Sequence, residues 1–258
     1  MSLNPPLRDW RGLRVWIIGA SSGIGAAVGQ SLLARGARVA LSARSRPQLE
    51  RAAALHGDDA LALPLDVTDA AAVGPALQRL VDAWGGIDFV LLCAGSHQPA
   101  RAWEFDADAA RRLVDVNLNG VLNCLPAVVQ QLLRQQCGGI AIVSSVAGYG
   151  GLPTSLVYGA TKAALINLTE TLYLDLAPRG IGVYLINPGF VKTPLTARNT
   201  FRMPALISAD EAAAEILAGL ARGRFEIHFP RRFTRWLKLL RLLPYRWYFA
   251  LVHKGTGL

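Results

Sequence analysis

Apolar residues along the chain gather in short unbroken runs, separated by longer stretches in which they recur every three or four positions. Arg14 to Ile18, Arg38 to Ser42, Ala60 to Leu65, Phe89 to Gly95, Ile140 to Val143 and Gly182 to Ile186 are such runs. Several are rich in β-branched side chains, which reads as strands buried on both faces. Helical patterns fill the gaps: Val28, Leu32 and Leu33 up to Gly36, about Arg46 to Leu55, Ala70 to Trp84, and a long region from Glu104 to Gln136. A further helix opens at Tyr158 and reaches Ala177, where Pro178 and Gly180 stop it. Ser208-Ala209-Asp210-Glu211 is a capping box for a helix to about Arg222, followed by a candidate seventh strand at Phe225 to Phe229. Strands alternating with helices predict an α/β fold, a doubly wound parallel sheet of about seven strands with helices on its faces. We expect one such domain over residues 1–230 and a helical extension over 231–258.

Charge changes the picture only at the C-terminal end. The 258 residues carry a formal +9, which on its own would suggest a nucleic-acid partner. From Arg224 onward, however, eight Lys/Arg face Glu226 alone, a net +7, so the first 223 residues hold only +2. Whatever the charge serves belongs to the tail. Cys93, Cys124 and Cys137 and the four scattered histidines have no metal-ligand spacing, so neither a disulfide nor a metal is expected. The first ten residues lack a basic start and an unbroken apolar run, and the protein is expected in the cytoplasm.

Strand, glycine turn and helix follow one another at Gly19-Ala20-Ser21-Ser22-Gly23-Ile24-Gly25. Glycines there permit a tight turn and close backbone approach, and the free N–H groups of the helix start can receive a pyrophosphate, as in Rossmann-type domains. At the end of the second strand, where a carboxylate would accept the ribose 2′-hydroxyl of NAD, there is Ala43-Arg44. Arg44 can fork onto a 2′-phosphate, with Ser42 as a second donor, which favours NADP(H) over NAD(H). Asp66-Val67 closes the third strand on the ligand-binding edge, where Asp66 can accept from an adenine amino group. Ala94-Gly95 ends the fourth strand with side chains small enough to let a cofactor pass close to the backbone.

Tyr158 and Lys162 stand one helical turn apart, so the ammonium can favour ionisation of the phenol and make it an acid and base usable near neutral pH. Ser145 precedes Tyr158 by thirteen residues, at the end of the fifth strand. The glycine turn, Asp66-Val67, Ala94-Gly95, Asn117, Ser145, Tyr158 with Lys162, and Pro188-Gly189 with Val191 and Thr193 stand in an order and spacing that resemble the short-chain dehydrogenases/reductases, from about residue 12 to 229. The resemblance implies Tyr158 as general acid/base, Lys162 lowering its pKa and holding the nicotinamide ribose, Ser145 binding the substrate oxygen, and Asn117 holding a water in a proton relay. It also implies that Thr193 contacts the nicotinamide carboxamide, and that the enzyme is a homodimer or homotetramer. Ile18 and Cys93 depart from the family's usual threonine and asparagine, so the bonds that brace the central strands must be made otherwise.

The tail reads as an amphipathic helix from Arg231 to Leu243. Phe233, Trp236, Leu237, Leu240 and Leu243 form one apolar stripe, and Arg231, Arg232, Arg235, Lys238 and Arg241 spread over the other side. Such a helix suits peripheral contact with a membrane surface, or packing over the substrate cleft or a partner subunit. Together these readings predict an NADP(H)-dependent oxidoreductase acting on a carbonyl or secondary alcohol. Leu152, Leu195, Phe201 and Met203, near the expected cleft in the lid segment and beside it, favour an apolar substrate. The alternatives are a 3-oxoacyl carrier-protein reductase and a non-catalytic NADP(H) sensor recruited to membranes. No groove-reading motif supports a nucleic acid.

Overall fold

A computed structural model describes residues 2–199, 201 and 203–256. Seven strands form one sheet: β1 (Arg14–Ile18), β2 (Arg38–Ser42), β3 (Ala60–Ala62), β4 (Phe89–Leu92), β5 (Gly139–Val143), β6 (Gly182–Pro188) and β7 (Glu226–Phe229). Every pairing is parallel and the order is β3-β2-β1-β4-β5-β6-β7. The helices are α1 (Gly23–Leu33), α2 (Arg46–Ala54), α3 (Ala70–Trp84), α4 (Ala107–Val114), α5 (Gly120–Gln135), α6 (Leu156–Leu176), α7 (Ala209–Leu220), α8 (Arg231–Arg241) and α9 (Tyr245–Thr256).

Successive side chains of a strand point to opposite faces, so a strand covered on both sides must be apolar throughout. In β1, Val15 and Ile17 pack in one core with α1, α2 and α7, while Trp16 and Ile18 pack in the other with α3, α5 and α6. Burying one aliphatic side chain of this size stabilises by about 1.5–3 kcal/mol, and truncating it costs about 2–5 kcal/mol once the cavity is included. Strand order reverses direction between β1 and β4, and the chain departs to opposite faces there. That opens a crevice at the carboxyl ends of the strands.

β4 ends at Leu92 and does not run on to Gly95, and two further predicted elements differ. β3 stops at Ala62, not Leu65, because Pro64 has no N–H for the ladder; Leu63 and Leu65 still donate to Leu41 and Ala43 on either side of it. The predicted long helical region breaks into a short turn, α4, a π-helical turn at Asp115–Asn119, and α5. Asp106 starts α4 by accepting from the backbone of Asp108 and Ala109.

The tail stripe is divided. Thr234 of α8 is fully buried and meets His228 Nδ1 at 2.6 Å, and Phe233 packs on Phe190 with ring centres 5.7 Å apart. Lys238, expected on the outward cationic side, instead turns in and pairs with Glu226 of β7. Trp236 and Leu243, expected on the stripe, are 66% and 38% exposed. The cause is the polar pair on β7: Glu226 and His228 stand at the sheet's edge and draw Lys238 and Thr234, rotating the helix away from its most apolar side. In α9, Tyr248 and Val252 are buried, and the Tyr248 hydroxyl donates to the Gly151 carbonyl at 2.8 Å.

Candidate active site

At the carboxyl edge of the sheet lies a cleft of about 880 Å³. Six of the seven strands contribute residues that follow them: Gly19 after β1, Arg44 after β2, Asp66 after β3, Ala94 after β4, Ser144 and Ser145 after β5, Gly189 after β6. Gly19 has φ +102°, and a Cβ on it would lie 2.5 Å from the Ala94 backbone nitrogen, so the two strand ends meet only because one lacks a side chain. Gly23, at φ +57°, would bring a Cβ within 2.9 Å of the Thr193 methyl, which places the turn against the segment after β6.

The residues at the start of α1 fit a dinucleotide. Ser22 stands at the N-cap without a side-chain cap bond, and the first turn holds no acid, so free N–H groups and the positive end of the helix dipole are available for an anion. Of the predicted cofactor residues, Gly19, Ser21, Ser22, Gly23, Ile24, Arg44, Asp66, Val67, Ala94, Gly95, Pro188, Gly189, Val191 and Thr193 line the cleft. Gly25 does not. A Cβ there would collide with the Gly19 carbonyl at 2.2 Å, so its glycine serves the packing of turn on helix. Burial pushes the neighbouring Cys93 thiol up to about 11, against the pull of the Lys162 charge and the Gly25 N–H.

Asp66 Oδ1 accepts from both the backbone and the hydroxyl of Thr68, and the backbone bond leads in holding the carboxyl below its ordinary range. Ser42, expected as a second donor beside Arg44, is fully buried and its Oγ accepts from Trp16 Nε1 at 2.8 Å. A tryptophan three positions before the glycine turn needs a polar partner in the core, and Ser42 is that partner. Ser45 and Gln48, which nothing in the sequence singled out, line the cleft next to Arg44 in its place.

Ser145, Tyr158 and Lys162 converge on the same cleft. Tyr158 opens the first turns of α6, and Gly148 brings that helix close to the turn after Ser145, since a Cβ there would strike the Lys162 carbonyl carbon at 2.7 Å. The lysine is clamped reciprocally to β5. Lys162 Nζ donates to the Val143 carbonyl at 3.0 Å, and Ser144 Oγ donates to the Lys162 carbonyl at 2.7 Å. Lys162 is 4% exposed, and its ammonium lies 5.7 Å from the centre of the Tyr158 ring. Burial pulls its pKa down to about 8. Burial likewise pushes the Tyr158 phenol up, with the Ser145 side chain bonding to it and pulling the other way.

Asn117 sits behind this wall and does not line it. In the π-helical turn its Oδ1 accepts from Ser96 N at 2.7 Å, and its Nδ2 donates to the Ser96 carbonyl and to Thr161 Oγ1. Thr161 in turn donates to the Tyr158 carbonyl at 2.8 Å, so one network ties the Gly95-Ser96 strand end to the tyrosine's helix. His97 has no sequence signal beyond following Gly95, yet its ring meets Tyr158 edge-on at 4.6 Å and its Nε2 lies 3.1 Å from Asn199 Oδ1.

The predicted lid, 194–207, includes Thr200 and Arg202, which lie outside the described residues. Of the four apolar residues expected at the cleft, Leu195 lines it. Phe201 packs on Phe190, and Met203 Sδ accepts from Asn199 Nδ2 at 3.4 Å. Leu152 lines a separate small cavity beside Tyr149, Leu237 and Tyr248, between the turn after Ser145 and the tail.

The family model described as short chain dehydrogenase matches residues 14–203. An uncharacterized oxidoreductase of Myxococcus xanthus is 35% identical over 231 residues, covering 88% of this chain and 91% of the relative. One from Staphylococcus epidermidis is 33% identical over 206 residues, 80% of this chain and 90% of its own. A short chain dehydrogenase/reductase from Burkholderia phymatum in complex with NAD superposes with TM-score 0.83 at 24% identity, over 90% of this chain and 94% of that one. A structure described as ElxO with NADP bound superposes with TM-score 0.75 at 24% identity, over 84% and 97%. Both likenesses concern the fold.

Proposed function

The chain belongs to the short-chain dehydrogenase family and is a nicotinamide-dependent oxidoreductase, and from that premise we propose that it prefers NADP(H) and reduces a carbonyl, or oxidises a secondary alcohol, on an apolar substrate. The observation that carries this reading is the convergence of Ser145, Tyr158 and Lys162 on the cleft that Arg44 also lines.

The nicotinamide, when bound, supplies or takes up the hydride. Tyr158 gives its phenolic proton to the substrate oxygen as that oxygen gains charge, and takes it back in the oxidative direction. Ser145 donates a hydrogen bond to the same oxygen and favours the charged form of the phenol. Lys162, held by Val143, holds the ribose of the nicotinamide and offsets the phenolate charge. Asn117 fixes Gly95-Ser96 against α6, and in this reading also holds a relay water. The first-turn N–H groups of α1, with Ser21 and Ser22, take the pyrophosphate, Asp66 and Val67 the adenine, and Pro188, Gly189, Val191 and Thr193 the carboxamide. Arg44 favours a 2′-phosphate because the end of β2, Ser42-Ala43-Arg44, carries no carboxylate of its own to hold a 2′-hydroxyl.

In the same reading residues 1–230 are the catalytic unit and 231–258 an extension that makes peripheral contacts, and the enzyme works in the cytoplasm as a homodimer or homotetramer. A panel of ketones and secondary alcohols, followed by cofactor absorbance with NADPH and NADH in parallel, tests the assignment. Binding of NADPH with no turnover of any substrate would overturn it in favour of a sensor.

A further inference from the structure

The tail has an inner side already satisfied and an outer side that is not. Inside, Thr234 bonds His228, Lys238 pairs with Glu226, and Phe233 packs on Phe190. Outside, Trp236, Leu239, Leu242, Tyr245, Trp247 and Phe249 are between 52% and 80% exposed. Arg232, Arg235, Arg241, Arg246 and Lys254 are exposed among them, and among the described residues none of the five forms a salt bridge or a side-chain hydrogen bond. Residues 227–258 hold no acid, and Glu226 is engaged by Lys238. Aromatic and leucine side chains this exposed, gathered on two consecutive helices, mark a surface that meets something other than water.

We propose that this outer face of α8 and α9 docks on an anionic lipid bilayer. Indole and phenol rings settle at the headgroup level with leucines below them, and guanidinium groups reach the phosphates, so a bilayer surface satisfies both kinds of side chain at once. A second copy of the chain presents the same unpaired cations and no acids, so two such faces repel one another. A polynucleotide would neutralise the cations and leave Leu239 and Leu242 in water. Among the described residues no helix is long and apolar enough to cross a membrane, and the contact is peripheral. The proposal goes beyond the hydride-transfer reading and stands apart from it.

The full chain is mixed with vesicles of phosphatidylcholine alone, or with about one third phosphatidylserine, and sedimented at low and high salt. The expected result is partition onto the serine vesicles at low salt, at least about tenfold stronger than onto neutral ones, weakening as salt rises. The variant R232E/R235E/R246E, and separately W236S/L242S, should each lose about tenfold or more of that partition while the thermal midpoint and NADPH affinity stay as in the parent. The proposal is overturned if the full chain stays in the supernatant with both vesicle types, or if the charge-reversed variant sediments as the parent does. It is equally overturned if vesicle-free protein is a dimer that W236S/L242S dissolves, since a second copy would then cover the face. NADPH titration of the same samples reads the oxidoreductase assignment separately.

Discussion

The Lys162 ammonium lies 5.7 Å from the centre of the Tyr158 ring and donates to the Val143 carbonyl. Its charge is therefore held by one backbone oxygen in a buried setting, which is why burial pulls it down to about 8. Below that value the amine is charged and can offset a phenolate; above it the charge is lost. The kcat/KM for carbonyl reduction is expected to hold to about pH 8 and then to fall as pH rises. Tyr158 titrates later, because burial pushes its phenol above the ordinary value. In Lys162→Arg the alkaline limb should move to higher pH, and a profile identical to the parent's would remove Lys162 from the titration.

Tyr158→Phe removes the proton while leaving the ring against His97. Turnover should drop by about 10²–10⁴-fold. NADPH affinity, measured by fluorescence, should stay within about twofold, since the pyrophosphate and adenosine contacts lie elsewhere. Retained turnover would take the acid/base role from this residue.

Arg44 is exposed at the end of β2 with no carboxylate beside it in sequence. Arg44→Ala should weaken NADPH binding by about 10–100-fold and leave NADH binding nearly unchanged, because a bidentate charge-assisted contact to phosphate is lost. Arg44→Asp should reverse the preference. Equal loss for both dinucleotides would mean that Arg44 holds something common to the two.

Glu226 receives Lys238, the Tyr149 hydroxyl and the Asn187 amide. Burial pushes its carboxyl up, but the three donors together hold it below the ordinary 4.5. Lys238→Met should destabilise by about 1–2 kcal/mol, between an exposed pair and a buried one because the lysine is partly in water. A carboxyl lowered on folding contributes stability that is present above its unfolded value and lost as pH falls through the lowered one. Parent and variant thermal midpoints should therefore differ at neutral pH and converge in acid below 4.5. A gap that persists in acid would assign the loss to packing of the lysine stem.

The strands were legible because strands covered on both faces are apolar nearly throughout, and β1 and β2 match their predicted runs end to end. The glycine turn and the Tyr158-Lys162 pair were legible because both depend on spacing along one element. What escaped depends on partners far apart in sequence. Trp16 takes the Ser42 hydroxyl from across a neighbouring strand, and Glu226 takes Lys238 from a helix whose apolar period pointed elsewhere. The π-helical turn around Asn117 was hidden for the same reason: the side chain's partners are Ser96 and Thr161, and no local pattern announces them.

Tyr149, four residues after Ser145, and Asn187, just before Pro188-Gly189, both lean on the one carboxylate that also grips α8. The turn after Ser145 and the end of β6 therefore share one footing, the Glu226 carboxylate of β7, which is also the group that Lys238 of α8 grips. Displacing α8 would thus disturb, through that one carboxylate, the segments that follow β5 and β6 and carry Ser145 and Pro188-Gly189, so the seating of the last helices and the shape of the cleft are coupled.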